Sequence, residues 1–270
     1  KFIEDETNRN LSIPRNFIRH KVVSPWEEQI PFLTNAFKNT VDNISKWQSA
    51  LDYFIETFIL SKIKILDDGF LIEKSLIVNL PSLIKLRAIQ LVTFSDEDNL
   101  WSRHKIKMLE NFLIKSEVGK IFQINNKWRL LWDRNDFIGE KVGRPISKNS
   151  VKIPKNLSIQ VNNLNISIKI SERKTINFEG KHEVVDWSKL KDTDLKVRLW
   201  RPGDIFQPLG MSGHQKISDL LINSKVDQFK KEKQHIVISN DEIIWICGLR
   251  ISDKVKVTKK TTEFAYLILE

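Results

Sequence analysis

The chain has 270 residues, of which 41% are hydrophobic and 29% are charged. This composition is typical of a folded globular protein, and the length favours two or three domains. No apolar run approaches the roughly 18 residues of a membrane span, and the single cysteine, Cys247, excludes an intramolecular disulfide framework. Lys and Arg number 44 against 34 Asp and Glu, for a net charge of +10. We therefore expect a cytoplasmic protein without membrane association and with a polyanionic partner.

The first part of the chain is predicted to be helical. Residues 1–24 are too short to fold alone, and we interpret them as the tail of a preceding domain. Apolar residues then recur at steps of three and four, which predicts a long amphipathic helix: Phe37, Val41, Ile44, Trp47, Leu51, Ile55 and Phe58. Asp67-Asp68-Gly69 predicts a hairpin, and helices are expected from Pro81 and from Ser95 to a stop at Gly119. Residues 25–119 thus form a predicted helical domain.

Beyond Gly119 the hydrophobic period changes to two, which is typical of strands. Hairpins are predicted across Asn125-Asn126 and across Asn162-Asn163. Between Lys141 and Lys181 there are nine basic and two acidic residues. Residues 120–190 are therefore a predicted strand-rich basic connector, and two interpretations of its charge stay open: a solvated linker or a face that contacts phosphates.

Residues 191–270 are predicted to form a small mixed domain. A strand over 195–200 leads into a loop rich in Pro and Gly, then a short helix near 214–222, and a hairpin over 240–242. The predicted fold class is α+β: a mainly helical middle domain, a strand-rich connector and a small mixed α/β C-terminal domain.

Signals for chemistry on this chain are missing from the sequence. Val118-Gly119-Lys120 lacks the glycine spacing of a phosphate-binding loop, and no Gly-x-Ser-x-Gly elbow occurs. The five histidines, at positions 20, 104, 182, 214 and 235, show no metal-ligand spacing. We therefore assign neither a catalytic residue nor a metal site. Arg and Lys around a rigid loop that leads into a helix instead favour a clamp for phosphodiesters.

Three segments in order carry a resemblance to a known family. They are Trp200-Arg201-Pro202-Gly203-Asp204 with Pro208-Leu209-Gly210-Met211, then Lys216-Ile217-Ser218-Asp219 with Lys225-Val226, then Ile244 to Ser252. This pattern closely resembles the C-terminal domain of bacterial tRNA(Ile)-lysidine synthetases. At the other end, Glu4-Asp5-Glu6-Thr7-Asn8 with Arg15 to His20 resembles the segment that closes that family's N-terminal ATP-pyrophosphatase-type domain.

The resemblance implies an enzyme that adenylates the wobble cytidine of an isoleucine tRNA and then joins free lysine to it, forming lysidine. It implies ATP and Mg as cofactors of the full-length enzyme, an isoleucine tRNA with a CAU anticodon as partner, and a possible homodimer. The family's Ser-Gly-Gly-x-Asp-Ser-type ATP loop does not occur in these residues. We therefore expect this chain to be the tRNA-binding portion, without bound cofactor and inactive by itself, with ATP and lysine reaching the enzyme through the absent domain.

The same resemblance implies which residues meet tRNA. Four would border the active site of the absent domain, and five would face tRNA from the C-terminal region. The first group is Arg15, Asn16, Arg19 and His20, and the second is Arg198, Arg201, Lys216, Lys225 and Arg250. Two alternatives remain: a stand-alone, non-catalytic RNA-binding module, and a protein-interaction domain whose basic surface is incidental. Trp200 has two interpretations as well, a core residue or a platform on which a base stacks.

Overall fold

The structure is a computed structural model that describes residues 6–93, 102–143, 147, 149–154, 158–162, 164–172 and 182–269. Helices and antiparallel sheets are both present, with a helical region followed by a strand-rich one. This confirms the predicted α+β class. In the described residues, no helix has the length and apolarity to span a membrane.

The helices are α1 (Pro14–Ile18), α2 (Ser24–Gln29), α3 (Leu33–Phe58), α4 (Lys74–Ile77), α5 (Ser82–Thr93), α6 (Arg103–Lys115), α7 (Ile217–Asn223) and α8 (Gln228–Glu232). A π-helical turn over Arg19–Val23 joins α1 to α2. The predicted long helix and the helix after Pro81 are confirmed. The start predicted at Ser95 lies outside the described residues, and α6 ends four residues before Gly119.

The strands are β1 (Lys64–Leu66), β2 (Gly69–Glu73), β3 (Ile121–Gln123), β4 (Trp128–Trp132), β5 (Asp136–Lys141), β6 (Val151–Lys152), β7 (Ile159–Val161), β8 (Leu164–Ser171), β9 (His182–Asp186), β10 (Leu195–Leu199), β11 (Ile205–Phe206), β12 (Gln215–Lys216), β13 (His235–Ser239), β14 (Glu242–Ile246), β15 (Arg250–Ile251) and β16 (Phe264–Leu269). The predicted hairpins are confirmed as the neighbouring pairs β1/β2, β3/β4, β7/β8 and β13/β14. In the last of these, Asn240 and Asp241 both have positive φ, as a two-residue type I′ turn requires.

The chain forms two compact units. The first comprises Lys1–Lys64 and Ser75–Ile106, and the second comprises Ile65–Lys74 and Lys107–Glu270. In the first unit Arg87 of α5 makes a bidentate ion pair with Asp52 of α3, with its Nη2 2.6 Å from Oδ2. Ile55 and Ile89 of the same two helices are fully buried. By contrast, every residue of α3 from 34 to 50 is exposed, including most of the predicted apolar stripe.

The second unit contains three larger sheets and a short ribbon. Their strand orders are β1-β2-β5-β4-β3, β15-β14-β13-β10-β6, β7-β8-β16-β9 and β11-β12. One core cluster takes buried side chains from the second and third of these sheets, among them Val197, Trp245, Ile166 and Leu267. Cys247 is buried in this cluster, and burial raises the pKa of its thiol, as suits a core residue.

The sheets cross the boundaries that the sequence suggests. Strand β6 of the predicted connector pairs with β10 of the predicted C-terminal domain. Strands β8 and β9, also in the connector, both pair with β16 near the end of the chain. The basic segment therefore contributes β6, β7 and β8 to the sheets of the second unit.

Candidate nucleic-acid interface

The loop after β10 is held by a buried ion pair. The Arg198 guanidinium donates to both carboxylate oxygens of Asp204, at 2.8 and 2.9 Å, and to the carbonyl of Leu199 at 3.0 Å. Both side chains of the pair are only 13% exposed. Asp204 also accepts from the backbone N–H of Arg201 at 2.7 Å. Between them Gly203 takes a φ of 93°, which glycine tolerates without strain.

This geometry changes the role of Arg198. Burial opposes the charged form of Asp204, but the hydrogen bonds from Arg198 and from the Arg201 backbone outweigh it and lower the pKa of Asp204. The guanidinium of Arg198 donates its hydrogen bonds to Asp204 and Leu199 within the turn and not to solvent. Its predicted contact with tRNA is not favoured by this placement, whereas the exposed Arg201 side chain is free to meet a ligand.

The loop closes as a two-stranded ribbon that leads directly into α7. Ile205 pairs with Lys216, and the backbone N–H of Ile217 donates to the Asp204 carbonyl at 3.0 Å. Lys216 is exposed at the end of this ribbon. The first N–H of this seven-residue helix is therefore used within the protein and is not available to a phosphate.

Lys225 occupies a conformation that usually belongs to glycine. It follows α7 with a φ of 55°, and its N–H donates to the Ile222 carbonyl while the N–H of Val226 donates to the Leu221 carbonyl. These two bonds define a Schellman motif, in which the left-handed position is most often Gly. Arg134 donates to the Lys225 carbonyl at 3.3 Å. The Lys225 side chain is exposed.

The cations predicted in the C-terminal region therefore divide into one buried and four exposed. The exposed ones are Arg201, Lys216, Lys225 and Arg250. None of these four forms a side-chain ion pair with another residue in the described part of the chain. Exposed cations without carboxylate partners are the groups that phosphates can neutralise.

The residues predicted near the chain start lie in the first unit. Arg15, Arg19 and His20 are exposed on α1 and the turn that follows it. Asn16 is buried, and its side-chain amide donates to the carbonyls of Thr7 at 2.7 Å and Asn10 at 3.1 Å. Asn16 thus fixes the preceding loop, which does not favour its predicted contact with tRNA.

A large cleft of about 1380 Å³ opens beside the loop within the second unit. Trp200, Arg201 and Pro202 line one part of it, and Arg129 and Lys141 of the first sheet line another. No sequence pattern connects these two segments, since they are about sixty to seventy positions apart. Only the packing of sheet and loop brings them to the same cleft.

Arg129 is the centre of a charged network in this cleft. It bonds Glu140 at 2.7 Å and Glu232 at 2.8 Å, and Glu140 is also paired with Lys233. The guanidinium carbon lies 4.4 Å from the ring centroid of Phe229, within cation–π range. The network fixes α8 and its flanking residues to β4 and β5. Across the described residues, no group of three or more His, Cys, Asp or Glu is placed to hold a metal ion.

Comparison with known proteins finds similarity to one family. Residues 195–267 match the family model described as the TilS substrate C-terminal domain. The chain is 25% identical over 96% of its length to the tRNA(Ile)-lysidine synthase of Parabacteroides distasonis. It is 26% identical to that of Bacteroides thetaiotaomicron and 27% to that of Caldanaerobacter subterraneus, again over 96% of its length. The chain is thus similar over nearly its whole length to several tRNA(Ile)-lysidine synthases, and residues 195–267 match the C-terminal domain model.

The match covers part of each relative. The chain spans 57%, 56% and 57% of the lengths of these three synthases. A solved structure described as the TilS C-terminal domain aligns with a TM-score of 0.40 and 22% identity, covering 45% of this chain and 95% of that one. The family model includes Arg198, Arg201, Lys216, Lys225 and Arg250, so all five predicted C-terminal cations fall inside the matched domain.

Proposed function

We propose that this chain is the tRNA-binding portion of a tRNA(Ile)-lysidine synthase. The whole enzyme would use ATP, Mg and lysine to convert the wobble cytidine of an isoleucine tRNA with a CAU anticodon to lysidine. tRNA binding is supported most directly by exposed cations in the matched domain, Arg201 among them. These cations form no ion pair with another residue that the structure describes. A cytoplasmic location and a possible homodimer belong to the same proposal.

In this proposal each of the four predicted segments has its own role. Residues 1–24 close the ATP-pyrophosphatase-type domain, 25–119 and 191–270 hold the tRNA, and the basic segment 120–190 connects them. Arg15, Arg19 and His20 border the nucleotide-activating site, while Arg201, Lys216, Lys225 and Arg250 face the tRNA. Arg198 and Asn16 have structural roles in this proposal, because their donors are used within the protein.

The salt dependence of tRNA binding tests the proposal. Each neutralised phosphate releases counterions, so affinity should fall steeply as salt rises. Arg201→Ala should weaken binding by about 1–3 kcal/mol, reduce the slope of log K against log salt by about 1, and leave the melting temperature nearly unchanged. Filter binding across a salt series and thermal melts measure these quantities.

Lys254→Ala is the matched control for Arg201→Ala. Lys254 is also an exposed cation, but its ammonium is paired with Glu242 at 2.5 Å. Its removal should change tRNA affinity little, since its charge is already neutralised. A flat salt plot for the wild-type chain would contradict RNA binding. Equal tRNA and non-nucleic polyanion affinities would instead favour an incidental basic surface.

The second prediction concerns the chemistry of the chain by itself. Because the ATP loop of the family does not occur in these residues, the isolated chain should neither bind Mg-ATP nor consume it with tRNA and lysine present. Titration calorimetry with Mg-ATP and a pyrophosphate-release assay measure this. Micromolar ATP binding would contradict the assignment of nucleotide chemistry to a separate domain.

A further inference from the structure

The cleft beside the loop has the size of a site for a polymer. Pockets for small molecules usually occupy about 300–1,000 Å³, and this cleft is larger, at about 1380 Å³. Its lining combines five basic and three acidic side chains with Trp200 and Pro202. A ligand that fits such a lining carries both negative charge and flat apolar groups.

Trp200 is held rigidly at the edge of this cleft. Its indole Nε1 donates to the carbonyl of Lys231 at 2.6 Å, which satisfies the polar atom of the ring and fixes its orientation. Part of the ring packs against the buried cluster that contains Phe206 and Ile217, while the side chain also lines the cleft. Trp200 is therefore partly buried against this cluster and also lines the cleft. A fixed aromatic ring at the wall of a cleft is suited to stacking an unpaired base.

The basic residues that line the cleft with Trp200 differ in whether an ion pair already neutralises their charge. Arg129 and Lys233 are neutralised by Glu140 and Glu232 together, so they form the wall of the cleft and offer little free charge. Lys141, Arg201 and Lys231 line the same cleft, and no ion pair joins any of the three to another described residue. These three are available to contact phosphates on either side of a stacked base.

We propose that the cleft binds an unpaired segment of RNA, with one base stacked on Trp200 and the adjoining phosphates at Arg201, Lys231 and Lys141. The inference deepens the proposed function and rests on it for the identity of the polymer. Single strands are favoured over duplex because bases in a helix are already stacked on one another and cannot lie on a protein ring. Stacking tolerates any base, so this site contributes affinity and position more than sequence discrimination.

Two RNAs that differ only in a single-stranded tail test the inference. One is a fluorescently labelled hairpin with a four-nucleotide extension, and the other is the same hairpin with a blunt end. The wild-type chain should bind the tailed hairpin about tenfold more tightly, as expected for one stacked base. Trp200→Leu, which keeps an apolar side chain but removes the ring face, should abolish that preference without weakening blunt-hairpin binding. Trp200→Phe should restore most of it.

Lys231→Gln serves as a second variant, because Trp200 also packs on the core and its replacement can lower stability. This change should reduce tailed-hairpin affinity several-fold and leave blunt-hairpin affinity unchanged, with thermal melts confirming the fold. Equal wild-type affinity for both hairpins would overturn the inference, as would a preference that persists in folded Trp200→Leu. If the wild-type chain bound neither hairpin nor tRNA, the proposed function itself would fail.

Discussion

Lys225 affects the stability of the fold and, in the proposed function, also the binding of tRNA. A non-glycine residue at left-handed φ costs roughly 1–2 kcal/mol from contact between Cβ and the backbone, so Lys225 destabilises the end of α7. Lys225→Gly should raise the free energy of unfolding by about 1 kcal/mol and weaken tRNA binding, because the strain and the charge disappear together. Denaturant titration and filter binding measure the two effects.

Lys225→Gln separates the two effects of that change. It removes the charge but keeps a Cβ at a φ of 55°, so stability should stay near the wild-type value while tRNA affinity falls as it does for the glycine variant. If Lys225→Gly stabilised the chain but left RNA affinity unaltered, the lysine would not be a contact with phosphate.

His235 predicts a pH dependence of stability. It is 2% exposed, and its Nε2 lies 3.2 Å from the side-chain nitrogen of Asn162, which acts as donor to a neutral ring. Burial lowers its pKa in the folded state below the unfolded value of about 6.5. The unfolded chain therefore binds the proton first as pH falls, and stability decreases below about pH 6.5, by at most about 1.4 kcal/mol per pH unit.

Denaturant titrations between pH 7.5 and pH 5 measure this dependence. His235→Gln should remove this decrease and so flatten the dependence of the free energy of unfolding on pH. Identical slopes for the His235 variant and the wild-type chain would show that burial does not hold this ring neutral.

The sequence was enough to locate the candidate site, but it did not show which of the basic residues there face solvent. The motif from Trp200 to Asp204 marks the loop, and its Gly and Pro predict a turn correctly. Whether an arginine faces solvent or a carboxylate depends on side-chain distances that spacing does not encode. Arg198 and Arg201 are three positions apart, yet one is buried against Asp204 and the other is exposed. Arg129 enters the cleft only through sheet packing.

At the scale of elements, only the C-terminal part of α3 is packed against other residues of its unit, and the longer N-terminal part is exposed. Its C-terminal half carries Asp52, paired with Arg87, and the fully buried Ile55. Residues 34–50 have no buried side chain. In proteins most of the stability of a helix comes from the packing of its apolar face, which this stretch lacks. Amides of 34–50 should therefore exchange with solvent much faster than those of 51–58.

Hydrogen exchange read by NMR or mass spectrometry measures this difference. The amides of α5 are the internal control, because Leu86, Ala88 and Ile89 bury that helix. Equal protection along the whole of α3 would mean that its exposed half is covered in solution. Trp47, 79% exposed, would then belong to a contact surface rather than to an unsupported helix.

Local patterns predicted the helices and the hairpins because both are set by neighbours in sequence. The apolar period of three and four defines α3, and short Asn- or Asp-rich turns define four strand pairs. Strand partners that are distant in sequence were beyond this reasoning. The position of β16 between β8 and β9 depends on contacts almost a hundred residues apart, which periodicity does not reveal.

At the scale of the whole molecule, the sheets of the second unit join segments that the sequence divides. The predicted boundary near residue 190 separates β6 from β10, although the two are paired. A basic segment that is part of a sheet has a fixed register, so its cations are held at defined positions where the structure describes them. Lys152, for example, lies opposite Lys196 and bonds Asp194 at 2.6 Å.

The central place of β16 also sets an order of events during synthesis. Ile166 of β8 pairs with Leu269, so the ribosome must add about a hundred residues before this partner exists. At roughly 5–20 residues per second, β8 and β9 wait about 5–20 seconds with the edges between them open. Open strand edges invite pairing with other chains. The nascent chain therefore passes through an interval of exposure to aggregation and to chaperones that ends only when β16 has been made.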